Sequence, residues 1–258
     1  LKSRQEQLSE LSERIARLKA KLASVSKQSS QRSVSRSLEK DQLDVALQSL
    51  SEEMERLQGS DFKPRSDVVF GIPADSRYII FVIDNSPSMV NSAWEKLKNE
   101  MINILDIYPA VNGIQIMNCE GRYMFPGEKG KWLTDGPAIR DKILTKLDSW
   151  RAVCNSNPAP GIETAIQTFY RPDRNISIYT LGDDYMGRSI RSVVRTVDRL
   201  NKANSGAKRL VRIHAIGFPV AFLDPRYKNQ INIIGFSALM RELSYNNGGT
   251  FIGLNSLN

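Results

Sequence analysis

The first part of the chain carries apolar residues at the spacing of a coiled-coil helix. Between Leu1 and Leu57 there is neither Gly nor Pro, which favours helix throughout. Apolar residues recur at alternating intervals of three and four in two seams, which are Leu8, Leu11, Ile15, Leu18, Leu22 and Val25, and then Leu43, Leu47, Leu50, Met54 and Leu57. Gly59 suits the position just after a helix end. We therefore predict a helical coiled-coil segment over residues 1–58 and a linker over residues 59–69.

Two arrangements of this helical segment are compatible with the seams. A polar stretch rich in Ser, Gln and Arg separates them, from Ser26 to Ser37. The segment either folds back on itself as an antiparallel hairpin or forms one long helix that self-associates through residues 8–57. Each seam alone would be only marginally helical in water, so either arrangement needs a partner helix.

Beyond residue 70, short apolar runs alternate with amphipathic helical patterns. The run from Arg77 to Ile83 is typical of a strand buried on both faces, and a helical pattern from Asn91 to Asp106 follows it. The other predicted strands are 113–117, 176–181, 210–217 and 250–254, with an antiparallel edge hairpin over 122–125 and 131–133. The other predicted helices are 137–150, 161–170, 189–200 and 236–245. This alternation predicts an α/β fold over residues 70–258, with helices on both faces of a doubly wound, mostly parallel six-stranded sheet.

Hydroxyl and carboxylate side chains directly follow two of the predicted strands. Asp84, Ser86 and Ser88 come after the first strand, and Asp183 comes after a later one. Ligands of parallel sheets bind at the carboxyl ends of the strands. The Asp-x-Ser-x-Ser pattern after a buried strand resembles the metal-ion-dependent adhesion site of the von Willebrand factor A and integrin I-domain family. The strand that ends in Asp183 is similar to the second metal-site strand of that family, and the resemblance covers roughly residues 70–258.

The resemblance implies a function as well as a fold. Asp84, Ser86, Ser88 and Asp183 would hold Mg²⁺, or alternatively Mn²⁺ or Ca²⁺, since these cations prefer oxygen ligands. In this family an Asp or Glu carboxylate of a partner protein fills an open position on the cation. We therefore expect a non-enzymatic protein–protein interaction module, with the helical segment serving assembly or spacing near a membrane.

One position departs from the family pattern. The Thr that the family contributes from the loop before its third helix corresponds here to Pro160, which has no hydroxyl group. Ser156, Asn157 and Thr164 are the residues that could take its place. If no cation binds, the aspartates at the strand ends would instead cap neighbouring turns and helices. The domain would then be a metal-free scaffold whose helical segment drives assembly.

The two cysteines bear on the cellular compartment. In a fold of this topology, Cys119 follows the second strand and Cys154 lies in the loop that approaches the metal-site end, so both would lie on one rim. A disulfide between them would imply an oxidising compartment, and two free thiols in a cytosolic protein is the alternative. Bacterial members of the family often have an N-terminal membrane anchor and then a helical segment. The resemblance therefore implies an anchor upstream of Leu1, in the inner membrane, and a domain in the periplasm; a cytoplasmic protein is the alternative.

Other functional classes are less well supported. The formal net charge of +8 favours nucleic-acid binding at first sight. However, the basic residues of the helical segment alternate with polar and apolar positions, as on a solvated helix face, so no nucleic acid is expected. A basic nucleic-acid-binding protein is the alternative. His214 is the only histidine and falls on a predicted strand, which indicates a core residue. No nucleophile elbow or Gly-rich phosphate loop accompanies it, and we do not expect an enzyme.

Overall fold

The computed structural model describes most of the chain beyond residue 75. The described ranges are 68–69, 72–73, 76–108, 110–151, 153–187, 189–202, 209–227 and 230–257. The predicted helical segment, both of its seams and the linker up to residue 67 lie outside the described residues. Their hairpin or stalk arrangement, and self-association through residues 8–57, therefore stay predictions.

Five parallel strands form the central sheet of the described residues. Two short strands, β1 (Val68–Val69) and β2 (Ile72–Pro73), make a separate antiparallel pair. The strands of the central sheet are β3 (Tyr78–Ile83), β4 (Gly113–Asn118), β5 (Ile176–Gly182), β6 (Arg212–Gly217) and β7 (Phe251–Gly253). Their order is β4-β3-β5-β6-β7, and every neighbouring pair is parallel.

Helices cover both faces of this sheet. They are α1 (Pro87–Ser92), α2 (Trp94–Ile107), α3 (Pro137–Asp148), α4 (Ala159–Phe169), α5 (Ile190–Leu200), α6 (Val220–Leu223) and α7 (Gln230–Asn246). The predicted doubly wound α/β fold is confirmed. The predicted helix over 91–106 is in fact two helices, since the backbone leaves the helical conformation at Ala93 (φ −125°, ψ 4°). Its first turn also begins earlier, at Pro87, where the missing proline N–H costs no helical hydrogen bond.

The prediction of a sixth strand is wrong for the described residues. The segment predicted as an edge hairpin, residues 122–133, makes only two isolated antiparallel bridges to β4, at Tyr123 and Leu133. A side chain, rather than a neighbouring strand, hydrogen-bonds to part of the backbone of this segment. The Nε2 atom of Gln115 donates to the carbonyl oxygen of Lys131 at 2.6 Å, so this segment follows the sheet edge as a loop.

The side chains of β3 alternate between two core clusters, one on each face of the sheet. Ile80 and Val82 pack with residues of α4, α5 and α7, whereas Ile79, Phe81 and Ile83 pack with residues of α1, α2, α3 and α6. Successive side chains of a strand point to opposite faces, so a strand covered on both faces needs an unbroken apolar run. The two cores therefore cover β3 from both faces of the sheet.

The connections place a topological switch point at the carboxyl end of β3. The chain leaves β3 to form β4 on one side and later returns to form β5 on the other side. In open α/β sheets, this crevice between the first strand and its two neighbours is where ligands bind. The residues that follow β3 and β5 therefore form the candidate site.

Candidate metal centre

Carboxylates from two strand ends meet at the switch point. Asp84 follows β3 and Asp183 follows β5, and the two strand ends are tied because the N–H of Asp84 donates to the carbonyl oxygen of Leu181 at 2.8 Å. One carboxylate oxygen from each of Asp84, Asp183 and Asp184 lies within 4.8 Å of the other two. The structure thus brings together the two aspartates that the sequence predicted and adds Asp184.

The loop after β3 turns its polar atoms toward this carboxylate group. The N–H of Ser86 donates to Oδ1 of Asp84 at 2.8 Å, which closes a tight turn. The hydroxyl oxygens of Ser86 and Ser88 lie 2.9 Å apart and share a hydrogen bond. Both serines are buried, and the Ser88 hydroxyl lies close enough to Asp183 to lower the pKa of its carboxyl group. The four predicted ligand residues therefore form one cluster.

Several carboxylate oxygens of this cluster have no partner within the described part of the chain. They are Oδ2 of Asp84, Oδ1 of Asp183 and Oδ1 of Asp184, and all three are buried. No basic side chain among the described residues forms an ion pair with these three aspartates. A buried acceptor without a partner is costly, and a buried uncompensated charge is costlier still. Helix or turn capping by Asp84 uses only its Oδ1 atom, so capping alone does not explain the arrangement.

Burial raises the pKa of every carboxyl group in the cluster. Burial raises the pKa of Asp84 from 3.8 to about 7, and hydrogen bonds from Ser86 offset part of the effect. For Asp183, burial and then the negative charges of Asp84 and Asp184 raise the pKa to about 8. The pKa of Asp184 is also raised by burial. Asp84 and Asp183 therefore retain protons near neutral pH unless a positive charge replaces the protons.

The donor set fits a hard divalent cation. It consists of the hydroxyl groups of Ser86 and Ser88 and the carboxylates of Asp84 and Asp183, with Asp184 beside them. All the donor atoms are oxygens, which is the ligand type that Mg²⁺, Mn²⁺ and Ca²⁺ prefer. A cation here would satisfy the three unpartnered oxygens and favour the ionised form of the carboxyl groups.

The loop before α4 supplies a further hydroxyl group. Ser156 is 3% exposed, and its hydroxyl lies close enough to the carboxyl groups of Asp84 and Asp184 to lower the pKa of both. Its backbone has φ +48°, a conformation that is uncommon for residues other than Gly and that concentrates at functional sites. Of Ser156, Asn157 and Thr164, Ser156 is the residue that the structure places beside the carboxylate cluster.

Thr164 and Asn157, which could also have filled that position, make contacts elsewhere. The hydroxyl of Thr164 lies against Gly121, where a Cβ atom would come within 2.6 Å of it. The Oδ1 atom of Asn157 accepts a hydrogen bond from the N–H of Ala159 at the start of α4. Pro160 lies in the first turn of the same helix and is exposed.

A disulfide fastens this loop to the sheet. Cys119, directly after β4, is bonded to Cys154, and their Cα atoms are 6.0 Å apart. The predicted proximity on one rim is confirmed, and the two cysteines are not free thiols in this structure. The Sγ atom of Cys154 lies 3.5 Å from Oδ1 of Asp84. The disulfide thus packs directly against the carboxylate cluster and restrains the loop that carries Ser156.

Comparisons with known proteins agree with this architecture at the level of the fold. No protein-family model matches the chain, and no curated protein matches it. Among solved structures, the chain is similar to a von Willebrand factor type A protein from Catenulispora acidiphila, with a TM-score of 0.51 and 13% identity over 70% of this chain and 39% of that chain. The chain has a von Willebrand factor A-like fold. It also resembles proximal thread matrix protein 1 from the mussel byssus, with 14% identity, a TM-score of 0.43, and coverage of 70% of this chain and 44% of that chain.

This chain covers less than half the length of each of the two matched structures. At these identities the comparisons establish the fold alone. The assignment of a candidate metal centre therefore rests on the geometry of the aspartates and serines described above.

His214 is not part of the centre. It lies on β6, is 1% exposed and stacks on the ring of Tyr179 at 4.8 Å. Its Nδ1 atom accepts a hydrogen bond from the N–H of Thr250. The interpretation of His214 as a core residue is therefore confirmed.

In the described part of the chain, no helix is both long enough and apolar enough to cross a membrane.

Proposed function

We propose that this domain is a non-enzymatic protein–protein interaction module that binds a partner carboxylate through a divalent cation. Asp84, Ser86, Ser88 and Asp183 would hold the cation, directly or through water, and Ser156 would support them from the neighbouring loop. Mg²⁺ is the favoured ion, since it accepts oxygen ligands and keeps several waters. A partner carboxylate would replace one of those waters.

The single observation that carries this proposal is the set of unpartnered carboxylate oxygens. Two buried aspartates and the partly buried Asp184, all with raised pKa values, are unfavourable for the fold in the absence of a counter-charge. Perturbed groups of this kind cluster at functional sites. Their position at the switch point of the sheet, where α/β proteins bind ligands, supports the same conclusion.

Binding rather than catalysis is proposed because of what accompanies the carboxylates. The chain's histidine is buried in the core on β6, and its two cysteines are bonded to each other. Among the described residues, neither a histidine nor a free cysteine is therefore available beside the carboxylates as a nucleophile or as the base that activates one.

We further propose that the domain works in an oxidising compartment, such as the bacterial periplasm. The disulfide between Cys119 and Cys154 supports this location, because disulfides persist there and are rare in the cytosol. An inner-membrane anchor upstream of Leu1 and the helical segment over 1–58 would then hold the domain near the membrane.

Calorimetric titration with MgCl₂ and with MnCl₂ tests the cation. The wild-type protein should show saturable binding of one ion, and Asp84→Ala should abolish the heat of binding. Asp173→Ala is the matched control, because Asp173 is exposed and lies before β5, at the opposite end of the strand from the site. Equal titrations of wild type and Asp84→Ala, or no heat with either, would remove the cation from the proposal.

A further inference from the structure

The exposed large apolar side chains of the described residues concentrate at the metal-site edge. Five are exposed: Val153 (47%), Met186 (66%), Phe222 (52%), Leu223 (51%) and Tyr245 (69%). Met186 follows the carboxyl end of β5, Phe222 and Leu223 follow that of β6, and Val153 lies in the loop before α4; we call these four residues the apolar rim. Tyr245 lies near the end of α7, at the opposite edge of the sheet. Scattered exposed apolar residues are ordinary, whereas several around one site mark an interaction surface.

Two residues of the apolar rim are fastened directly to the metal-site loops. The N–H of Val153 donates to the carbonyl oxygen of Asn85 at 3.2 Å, next to Asp84. The N–H of Met186 donates to the carbonyl oxygen of Ser156 at 3.1 Å. These side chains therefore border the carboxylate cluster on the side of the loop before α4.

The other two residues approach from β6. The N–H of Phe218, directly after β6, donates to the carbonyl oxygen of Gly182 at 2.9 Å, next to Asp183. The chain then forms α6, which ends in Phe222 and Leu223 and packs against α1. Since α1 begins in the metal-site loop, these two side chains border the cluster from the other side.

The charges at this edge favour an acidic partner. Glu120 and Asp224 are neutralised by Arg122 and Arg226, at 3.0 Å and 2.6 Å respectively. Arg151 is exposed, and its carbonyl oxygen accepts a hydrogen bond from Asn85 of the metal-site loop. Among the described residues no carboxylate forms an ion pair with Arg151, so an exposed residue with an unpaired positive charge follows the metal-site loop.

We propose that the partner segment carries bulky apolar side chains on either side of its acidic side chain. The acidic group would bind the cation, and the apolar neighbours would pack on Met186 and Val153 to one side and on Phe222 and Leu223 to the other. This inference rests on the proposed function and adds the sequence chemistry of the partner. A central polar anchor with apolar contacts around it is the usual anatomy of a protein interface.

Two synthetic pentapeptides test the proposal against the Mn²⁺-loaded protein by calorimetry. In one, a central aspartate is flanked by phenylalanine and leucine; in the other, glycine flanks the same aspartate. Burying about half of one such side chain corresponds to about a tenfold gain in affinity, so the flanked peptide should bind at least about tenfold more tightly. The double variant Phe222→Ser/Leu223→Ser should remove most of that difference and leave Mn²⁺ binding unchanged. Tyr245→Ser is the matched control and should change neither the difference in affinity between the two peptides nor the binding of Mn²⁺.

The outcomes separate this inference from the proposed function. If both peptides bind equally to the Mn²⁺-loaded protein, the apolar rim has no role and the inference is overturned, while carboxylate binding stands. If the rim variant binds the flanked peptide as tightly as wild type does, the inference is also overturned. If neither peptide binds although Mn²⁺ does, both the inference and the carboxylate half of the proposed function fail.

Discussion

Replacing Asp84 with Asn should stabilise the metal-free protein at alkaline pH. The amide keeps an oxygen that can accept the hydrogen bond from the N–H of Ser86, and it keeps the shape of the buried group. It removes the negative charge and places a donor in the position of the unpartnered Oδ2, beside the carboxyl groups of Asp183 and Asp184. The substitution therefore relieves a cost that the wild type carries in the absence of a cation.

The size of the effect follows from the pKa of Asp84. Burial raises this pKa from 3.8 to about 7, and the carboxyl group is 3% exposed. Each step of one in pKa corresponds to about 1.4 kcal/mol, so ionising Asp84 above pH 8 costs the fold on the order of 4 kcal/mol. A gain of that order would shift the urea midpoint upward by more than about 1 M. Saturating Mg²⁺ should stabilise the wild type by about 3 kcal/mol at a hundred times its dissociation constant, and the variant by almost nothing.

Urea denaturation above pH 8, in EDTA and then in MgCl₂, measures both effects. Asp135→Asn is the matched control, since it is the same substitution at a carboxylate with a partner. Asp135 accepts a 2.7 Å hydrogen bond from Arg140, which holds the pKa of that carboxyl group below its usual value. The control should be destabilised and should keep the Mg²⁺ response.

Two results would refute this reasoning. One is a variant Asp84→Asn that is less stable than wild type in EDTA above pH 8, which would mean that the carboxylate stabilises the fold without a cation. The other is an Mg²⁺ response of the same size in the variant and the wild type.

Three further predictions follow from the same cluster. In EDTA, the wild type should lose stability as pH rises from about 4 to above 8, because the folded state retains protons on Asp84 and Asp183 in a range where the unfolded chain releases them. Urea titrations at both ends of the pH range measure this trend, and saturating MgCl₂ should make the stability nearly independent of pH. A stability that rises with pH in EDTA would contradict the prediction. Ser156→Ala should weaken Mg²⁺ binding about tenfold in calorimetry by removing the buried hydroxyl group beside Asp84 and Asp184, and unchanged affinity would exclude Ser156 from the centre. Cys154→Ser opens a disulfide loop whose ends are 35 residues apart and should lower the free energy of unfolding by about 4 kcal/mol, measured by urea denaturation. A decrease of less than about 1 kcal/mol would show that the loop is held in place without the disulfide.

Much of the fold could be predicted because each strand of the sheet is buried on both faces. The apolar runs that became β3 and β5 have no other stable environment in a chain of this composition. The break at Ala93 was not predictable, because the apolar positions of the two helices that it separates continue with almost the same period. The loop over residues 122–133 was also missed. Its alternating sequence pattern is typical of a strand, but the side-chain amide of Gln115 hydrogen-bonds to its backbone where a neighbouring strand would otherwise do so.

The site could be predicted in part for a similar reason. Asp84 and Asp183 are fixed by the ends of strands, and their positions follow once the strands are assigned. Ser156 could not be distinguished from Asn157 and Thr164, because the choice depends on a loop backbone with positive φ and on a disulfide 2 residues away. Asp184 is a neighbour of Asp183 in sequence, and only the structure shows that its carboxylate joins the same cluster.

The most direct test of the central claim is the relaxation of water protons by protein-bound Mn²⁺. If the cation is held by Asp84, Ser86, Ser88 and Asp183 with water in its open position, the wild type should enhance the relaxation rate, and acetate should lower that enhancement as its carboxylate replaces water. Asp84→Asn should show no enhancement above free Mn²⁺. Enhancement of the same size in Asp84→Asn, or enhancement in the wild type that acetate leaves unchanged, would contradict the claim.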